Sequence, residues 1–334
     1  MPAVLVVGPS WVGDMVLAQS LFMRLRERPD TVVDVLAPAW SEPLLKLMPQ
    51  VRNAIPMSVG HGELQLGQRY RIAQTLRATE YEQVIVLPNS LKAALIPFFA
   101  NIPLRTGYRG EMRFGLLNDV RHLDKRLLPM TVQRFVALGQ DADAELPPVV
   151  PTPHLVASPF SVAQTLARLQ IEPPVGRVIA LCPAAEYGPA KRWPAEYFGE
   201  VGRQLAAEGW HIWLLGSDKD RAITQKVHAI SGGLDLAGRT SLAEAVDLLS
   251  LASLILTNDS GLMHVGAALD RPLLATFGSS SPQFTPPLGA RSRIASLNLD
   301  CSPCFKRECP LTHLDCLRKL TPRRVLDEIN AMVV

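Results

Sequence analysis

The chain has 334 residues, 48% of them hydrophobic and 19% charged, with 28 prolines and 22 glycines. At roughly 150 residues per domain the length reads as two domains, and the apolar content excludes disorder, coiled coil and fibrous repeats. A formal net charge of +3, from 34 Lys+Arg against 31 Asp+Glu, is too balanced for a general nucleic-acid binder.

Val4–Val7 opens the chain as a short β-branched run, and a helical pattern follows from Val16 to Arg28. Val32–Leu36 and Val84–Leu87 are the next strand-like runs, the latter ending at Pro88-Asn89. Brief strands, apolar on both faces and separated by helix-length segments, predict a parallel sheet covered by helices. Pro147-Pro148-Val149-Val150-Pro151-Thr152-Pro153 then interrupts the pattern, because proline continues neither a helix nor a central strand. Pro173-Pro174-Val175-Gly176 is a second joint. Beyond it strands are predicted at Val178–Leu181, His211–Leu215, Leu254–Thr257 and Leu273–Phe277. Helices are predicted at Ala195–Glu208, Leu242–Leu251, Gly261–Leu269 and Pro322–Met332, the last able to pack back across the joint. The expected class is α/β: two doubly wound, Rossmann-like domains facing a central cleft. No run reaches the roughly 18 apolar residues of a membrane span. The N-terminus lacks the pattern of an export signal, so a cytoplasmic location is expected.

The first strand runs into Gly8-Pro9-Ser10-Trp11-Val12-Gly13-Asp14. The glycines have Walker A spacing, yet Asp14 stands where a phosphate-binding loop needs lysine, and a carboxylate repels phosphate. Ser10 occupies the second glycine of a dinucleotide fingerprint, so neither an NTPase nor an NAD enzyme is supported. What remains is a carboxylate at the ligand edge of an open sheet. It reads either as a helix-start acid or as a group facing substrate, together with Ser10, Trp11 and Gly13.

In the second half, Leu254–Thr257 ends in Asn258-Asp259-Ser260-Gly261-Leu262-Met263-His264. A strand opening through Asp-Ser-Gly into a helix presents free backbone N–H groups and a positive dipole end to an anion. The alternative is a plain capping turn with a packed histidine. A second loop, Pro183 to Pro194, holds Ala184, Ala185, Glu186, Lys191 and Arg192; Pro194 fits the first helical position. Adjacent cations beside small residues suit an anionic ligand, or form a solvated charge pair. A third loop carries Gly238 and Thr240. Three polar or small loops on one sheet edge describe a nucleotide pocket.

These motifs resemble, in the same order, glycosyltransferase family 9, the heptosyltransferases of lipopolysaccharide core assembly. The residues that carry the likeness are Gly8 to Asp14, Pro88-Asn89-Ser90, Arg105 to Glu111, Lys191 to Pro194 and Thr257 to His264. The resemblance implies a GT-B fold, with an acceptor domain over residues 1–155 and a donor domain over 175–320. A C-terminal helix, 321–334, packs on the N-terminal domain in that scheme. It implies inverting transfer of L-glycero-D-manno-heptose from ADP-heptose to the first heptose of Kdo2-lipid A, with no metal or other cofactor required. Asp14 would be the general base and Lys191 would meet charge on the leaving diphosphate. Ala184, Ala185, Glu186, Gly238, Thr240, Asp259, Ser260, Gly261 and His264 would hold the donor. Ser10, Trp11, Gly13, Asn89, Ser90, Lys92 and Arg109 would hold an anionic acceptor; Arg113 lies on the same loops, and Lys92 and Arg113 read equally as surface cations. A different acceptor, as in heptosyltransferases I or III, is the alternative within the family.

The implied acceptor is lipid-linked, so peripheral contact with the cytoplasmic face of the inner membrane is expected. Residues 60–134 carry eleven Lys+Arg against six Asp+Glu, the sign that anionic lipid attracts. Pro97-Phe98-Phe99 is either part of that contact or part of the core. Four of the five cysteines, Cys301, Cys304, Cys309 and Cys316, fall within 16 residues with His313. They read as a structural zinc site, as reduced thiols or as disulfides. A zinc-containing nucleic-acid binder is the rival from another class, disfavoured by the balanced charge and the lack of an aromatic-basic stripe.

Overall fold

The structure, a computed structural model, describes residues 2–59 and 63–333. It divides into two compact units, Met1–Pro153 and His154–Val334, within the first proline-rich joint. The first unit comprises β1 (Ala3–Val7), α1 (Val12–Arg26), β2 (Val32–Pro38), α2 (Glu42–Leu45), β3 (Val51–Met57), α3 (Leu66–Leu76), β4 (Tyr81–Val86), α4 (Leu91–Phe99), β5 (Leu104–Tyr108), β6 (Asp119–Arg121) and α5 (Thr131–Leu138). Its six strands are parallel in the order β3-β2-β1-β4-β5-β6.

The central strand β1 is wholly apolar and buried on both faces, which only a sheet covered on both sides can satisfy. α1 is buried nearly all round and packs against α5. That burial explains why the helix begins at Val12 rather than Val16: a helix covered on every side carries no amphipathic stripe to mark its start. Asp34, buried in β2, accepts Arg52 Nε and Nη2 at 2.9 and 2.6 Å and Tyr81 Oη at 2.7 Å, joining β2 to β3 and β4. β3 contains Pro56 and lies at the sheet edge, the place where a missing ladder donor is tolerated.

The second unit comprises α6 (Pro159–Leu169), β7 (Val178–Cys182), α7 (Ala195–Ala207), β8 (His211–Leu214), α8 (Arg221–Ser231), β9 (Leu234–Asp235), α9 (Leu242–Leu251), β10 (Leu254–Asn258), α10 (Gly261–Ala268), β11 (Leu273–Thr276), β12 (Ser292–Ala295), α11 (Asp315–Arg318) and α12 (Pro322–Val333). Its order, β12-β11-β10-β7-β8-β9, reproduces that of the first sheet when both are counted from their own first strand. Trp193 anchors the core, edge-on to Tyr197 and Phe198 with centroids at 5.5 and 5.0 Å. Its Nε1 donates to Leu320 O at 2.7 Å, and Val325, Leu326 and Ile329 of α12 share that core. Pro194 is the residue before α7, not its first helical residue: its ψ of 134° is extended.

In a doubly wound sheet the ligand crevice opens where the strand order reverses, at the carboxyl ends of the strands. That point lies between β1 and β4 in the first unit and between β7 and β10 in the second.

Candidate active site

The loops flanking the second reversal point carry Lys191, after β7, and Asp259 to His264, after β10. Lys191 Nζ bonds Asp259 Oδ2 at 2.5 Å, with both side chains largely buried. Lys191 also stands 5.1 Å from the Tyr187 ring centroid. Ser260 is the residue before α10; its hydroxyl lies 3.2 Å from Thr257 Oγ1, and it makes no side-chain cap to the helix N–H groups. The first turn of α10 therefore keeps amide donors for a ligand. His264 is buried, and burial lowers its pKa to about 4; Asp259 opposes that shift and Lys191 adds to it. At neutral pH the ring is uncharged. Its Nδ1 has no hydrogen-bond partner among the described residues.

A buried asparagine holds these parts in register. Asn258 Oδ1 accepts Trp193 N and Thr276 Oγ1, each at 2.9 Å, while its Nδ2 donates to Pro183 O at 2.7 Å. Arg192 Nε donates to Ala185 O at 3.0 Å, so this cation staples its own loop rather than forming a solvated pair with Lys191. Gly238 sits at φ +67°, and a Cβ there would fall 2.9 Å from Asp218 Cα. Gly238 and Thr240 follow β9, two strands from β7. Exposed Glu186 pairs with Lys219 at 3.2 Å, a surface contact of small energetic weight.

The first reversal point gathers the remaining residues. Gly8 is close-packed: a Cβ would lie 2.8 Å from Met15 Cε and 3.1 Å from Ala37 Cβ. Ser10 and Trp11 are exposed, Gly13 is buried, and Asp14 lies half-buried in the first turn of α1. Asn89, Ser90 and Lys92 follow β4, and Arg109 follows β5. These two loops are bonded together: Glu111 N donates to Asn89 O at 3.3 Å, and Leu91 N donates to Glu111 Oε2 at 2.8 Å. Arg113 is only 3% exposed, which overturns its reading as a surface cation. Its guanidinium donates to Pro88 O at 2.7 Å, to Asn89 Oδ1 at 3.3 Å and to Tyr108 O. Burial lowers its pKa. Lys92 is half-buried and Arg109 is exposed.

The model of glycosyltransferase family 9 (heptosyltransferase) matches residues 69–315. The chain belongs to that family. Lipopolysaccharide heptosyltransferase 2 of Salmonella typhimurium is 46% identical, over 99% of this chain and 98% of its own. The Escherichia coli protein of the same name is 45% identical with the same coverage. The solved structure of E. coli ADP-heptose lps heptosyltransferase II superposes with a TM-score of 0.89 at 43% identity, covering 100% of this chain and 98% of that one.

This family 9 chain is thus a glycosyltransferase with the two Rossmann-like units of the GT-B class. Two features beyond the predicted site residues stand out in it. Ser279 and Ser280, on the loop after β11, are buried with hydroxyls that have no partner among the described residues. Asn258 reads in sequence as one more turn residue, and only its distant partners reveal its role. Phe98, offered to the core by the sequence, is 40% exposed, with Arg105 Cζ 5.7 Å above its ring. The cysteines are all free thiols, which excludes disulfides among them. No group of three or more His, Cys, Asp or Glu among the described residues is arranged to hold a metal ion.

Proposed function

We propose that the enzyme moves L-glycero-D-manno-heptose from ADP-heptose to the first heptose of the Kdo2-lipid A core, with inversion at the anomeric carbon. The observation that carries this reading is the Lys191–Asp259 pair beside the open amide turn of α10, at the reversal point of the second sheet. The full-length relatives, heptosyltransferases 2 of two enteric bacteria, support the heptose-transfer part of this reading.

In this reading the second unit holds the donor and the first holds the acceptor. As the acceptor hydroxyl oxygen bonds to C1, the bond from C1 to the diphosphate oxygen breaks and ADP departs as an anion. The hydroxyl proton passes to Asp14. That carboxylate sits in the first turn of α1, where the helix dipole favours negative charge. Lys191 and the α10 amides face the charge growing on the diphosphate. Asp259 and neutral His264 hold the donor sugar, with Ala184, Ala185, Glu186, Gly238, Thr240, Ser260 and Gly261 completing the pocket. Asn89, Ser90, Lys92 and Arg109, beside Ser10, Trp11 and Gly13, receive the anionic acceptor. One displacement inverts the centre, so the chemistry asks for no covalent nucleophile. No helix among the described residues is long and apolar enough to cross a membrane. Exposed Phe98, Leu104, Met112 and Phe114, within the basic stretch of the first unit, offer a peripheral contact with the cytoplasmic face of the inner membrane.

The test is ADP release from ADP-heptose with Kdo2-lipid A acceptors bearing no, one or two heptoses. Release only with the one-heptose acceptor is expected; a preference for the bare acceptor would assign the chain to the preceding transfer instead. Asp14→Asn should lower kcat by roughly 10²–10⁴ with ADP affinity retained. Unchanged turnover would remove Asp14 as the base.

A further inference from the structure

The segment that carries four of the five cysteines takes no part in the chemistry above, yet it is fastened across the Lys191 loop. Ala190 N donates to Arg307 O at 3.0 Å, Tyr187 Oη to Phe305 O at 2.9 Å and Phe305 N to Ser279 O at 2.6 Å. Phe305 is left-handed, at φ +54°, and its ring meets Phe284 edge-on with centroids 6.1 Å apart. A bulky residue keeps such a backbone only where its surroundings over-determine it. Gly188 permits the close approach: a Cβ there would fall 2.6 Å from Arg307 O and 3.1 Å from Arg307 Cα. Main-chain contacts thus fix where the Arg307 side chain begins.

That side chain ends over Tyr187. Arg307 Cζ lies 5.4 Å from the ring centroid and Lys191 Nζ 5.1 Å from it, so one ring attracts two cations. Lys191 has Asp259 as its counter-ion. The exposed Arg307 guanidinium pairs with no carboxylate among the described residues. Two cations with one carboxylate leave the Lys191 loop with a positive charge unmet, which an anionic ligand satisfies.

We propose that Arg307 is a second phosphate-binding cation of the donor pocket, holding the diphosphate of ADP-heptose together with Lys191; this rests on the reading of the second unit as the donor unit. The guanidinium fork offers paired N–H donors to phosphate oxygens, where Lys191 supplies a point charge. A side chain already limited by its ring contact and its anchored main chain gives up less freedom on binding than a solvated arginine does.

The experiment measures ADP binding to the full chain by calorimetry. Arg307→Ala should raise the dissociation constant at least about tenfold, the worth of one hydrogen bond to a charged group. Arg307→Lys should raise it less, because an ammonium keeps the charge and loses the fork. The carbonyl that accepts Ala190 N survives both substitutions, so the urea midpoint should hold; a fallen midpoint alongside the ADP loss would make Arg307 a fold residue and overturn the assignment. Lys226→Ala, at an exposed site on α8, removes the same charge and should leave ADP affinity unchanged. An equal loss there would reduce the effect to the general field. Adenosine, which has no diphosphate, should bind the parent chain and Arg307→Ala alike; an equal loss for adenosine would move Arg307 to the nucleoside and overturn the phosphate role. Unchanged ADP binding by Arg307→Ala would overturn the proposal and leave the donor reading intact, whereas a parent chain that binds no ADP would overturn both.

Discussion

Asn258→Ala isolates the strut beneath the loops that follow β7 and β10. The amide is fully buried and serves three partners: Trp193 N, Thr276 Oγ1 and Pro183 O. Thr276 keeps a weak alternative acceptor, Thr257 O at 3.4 Å, but the Trp193 N–H and the Pro183 carbonyl lose the bonds that Asn258 gave them. A buried group left without its bond costs about 1–3 kcal/mol, so two such groups place the loss near 2–6 kcal/mol. Against a total stability of about 5–15 kcal/mol that is severe. Urea unfolding followed by tryptophan emission reads it out, since Trp193, Trp210 and Trp213 are buried in the second unit while Trp11 and Trp40 are exposed. With a slope of about 2 kcal/mol per molar, a loss near 4 kcal/mol moves the midpoint by about 2 M. A shift below about 0.5 M would refute the strut. Asn258→Asp sharpens the test, because it sets a carboxylate oxygen against Pro183 O unless that oxygen is protonated. The folded state then raises the new carboxyl's pKa, so the variant's stability relative to the parent chain is highest at acid pH and falls as pH rises.

His264 binds its proton less readily in the folded chain than in the unfolded one, at about 4 against 6.5. Its contribution to stability is therefore complete above pH 6.5 and lost as pH falls toward 4, by about 3 kcal/mol; His264→Gln should flatten urea midpoints over that window. Arg113→Lys should raise the acceptor KM several-fold and leave the ADP dissociation constant unchanged, because one ammonium cannot reproduce the forked bonds to Pro88, Asn89 and Tyr108. Equal losses for both substrates would mark Arg113 as a general fold residue. Gly188→Ala would put a Cβ 2.6 Å from Arg307 O, parting the cysteine segment from the Lys191 loop; a raised ADP dissociation constant by calorimetry is expected.

The inner strands were legible because burial on both faces writes itself as continuous β-branched runs: β7 and β10 end within one residue of their predicted limits. Edge strands were not. β3 mixes Arg52, Asn53 and Pro56 into its run, and β9 is two residues long, so neither carries a periodic signal. Local chemistry likewise singles out Lys191, Asp259 and His264, whose spacing to a helix start is a short-range property, and the structure brings the first two into contact. Arg113 went unread as a buried clamp because two of its partners, Pro88 and Asn89, lie 25 and 24 residues back in sequence and are brought near by strand order. The same holds for Asn258, which reaches 75 residues back to Pro183.

The two sheets share one topology, yet their reversal points carry opposite charge: Asp14 in the first unit, Lys191 in the second. The proposed transfer asks for that asymmetry. Its acceptor oxygen sheds a proton, which a carboxylate takes, while its leaving group gains negative charge, which a cation and helix amides meet. Asp259 beside Lys191 looks at first like a liability, since it sets a carboxylate near an incoming diphosphate. It also fixes the lysine: an ammonium on four rotatable carbons is a poor electrostatic device until its position is set. Burial keeps His264 neutral, so the cation beside the α10 amides is Lys191 and not the imidazole. A lysine held in place by its carboxylate, next to amides that need no reorganisation, is a preorganised charge sink, and preorganisation is where most electrostatic catalysis resides.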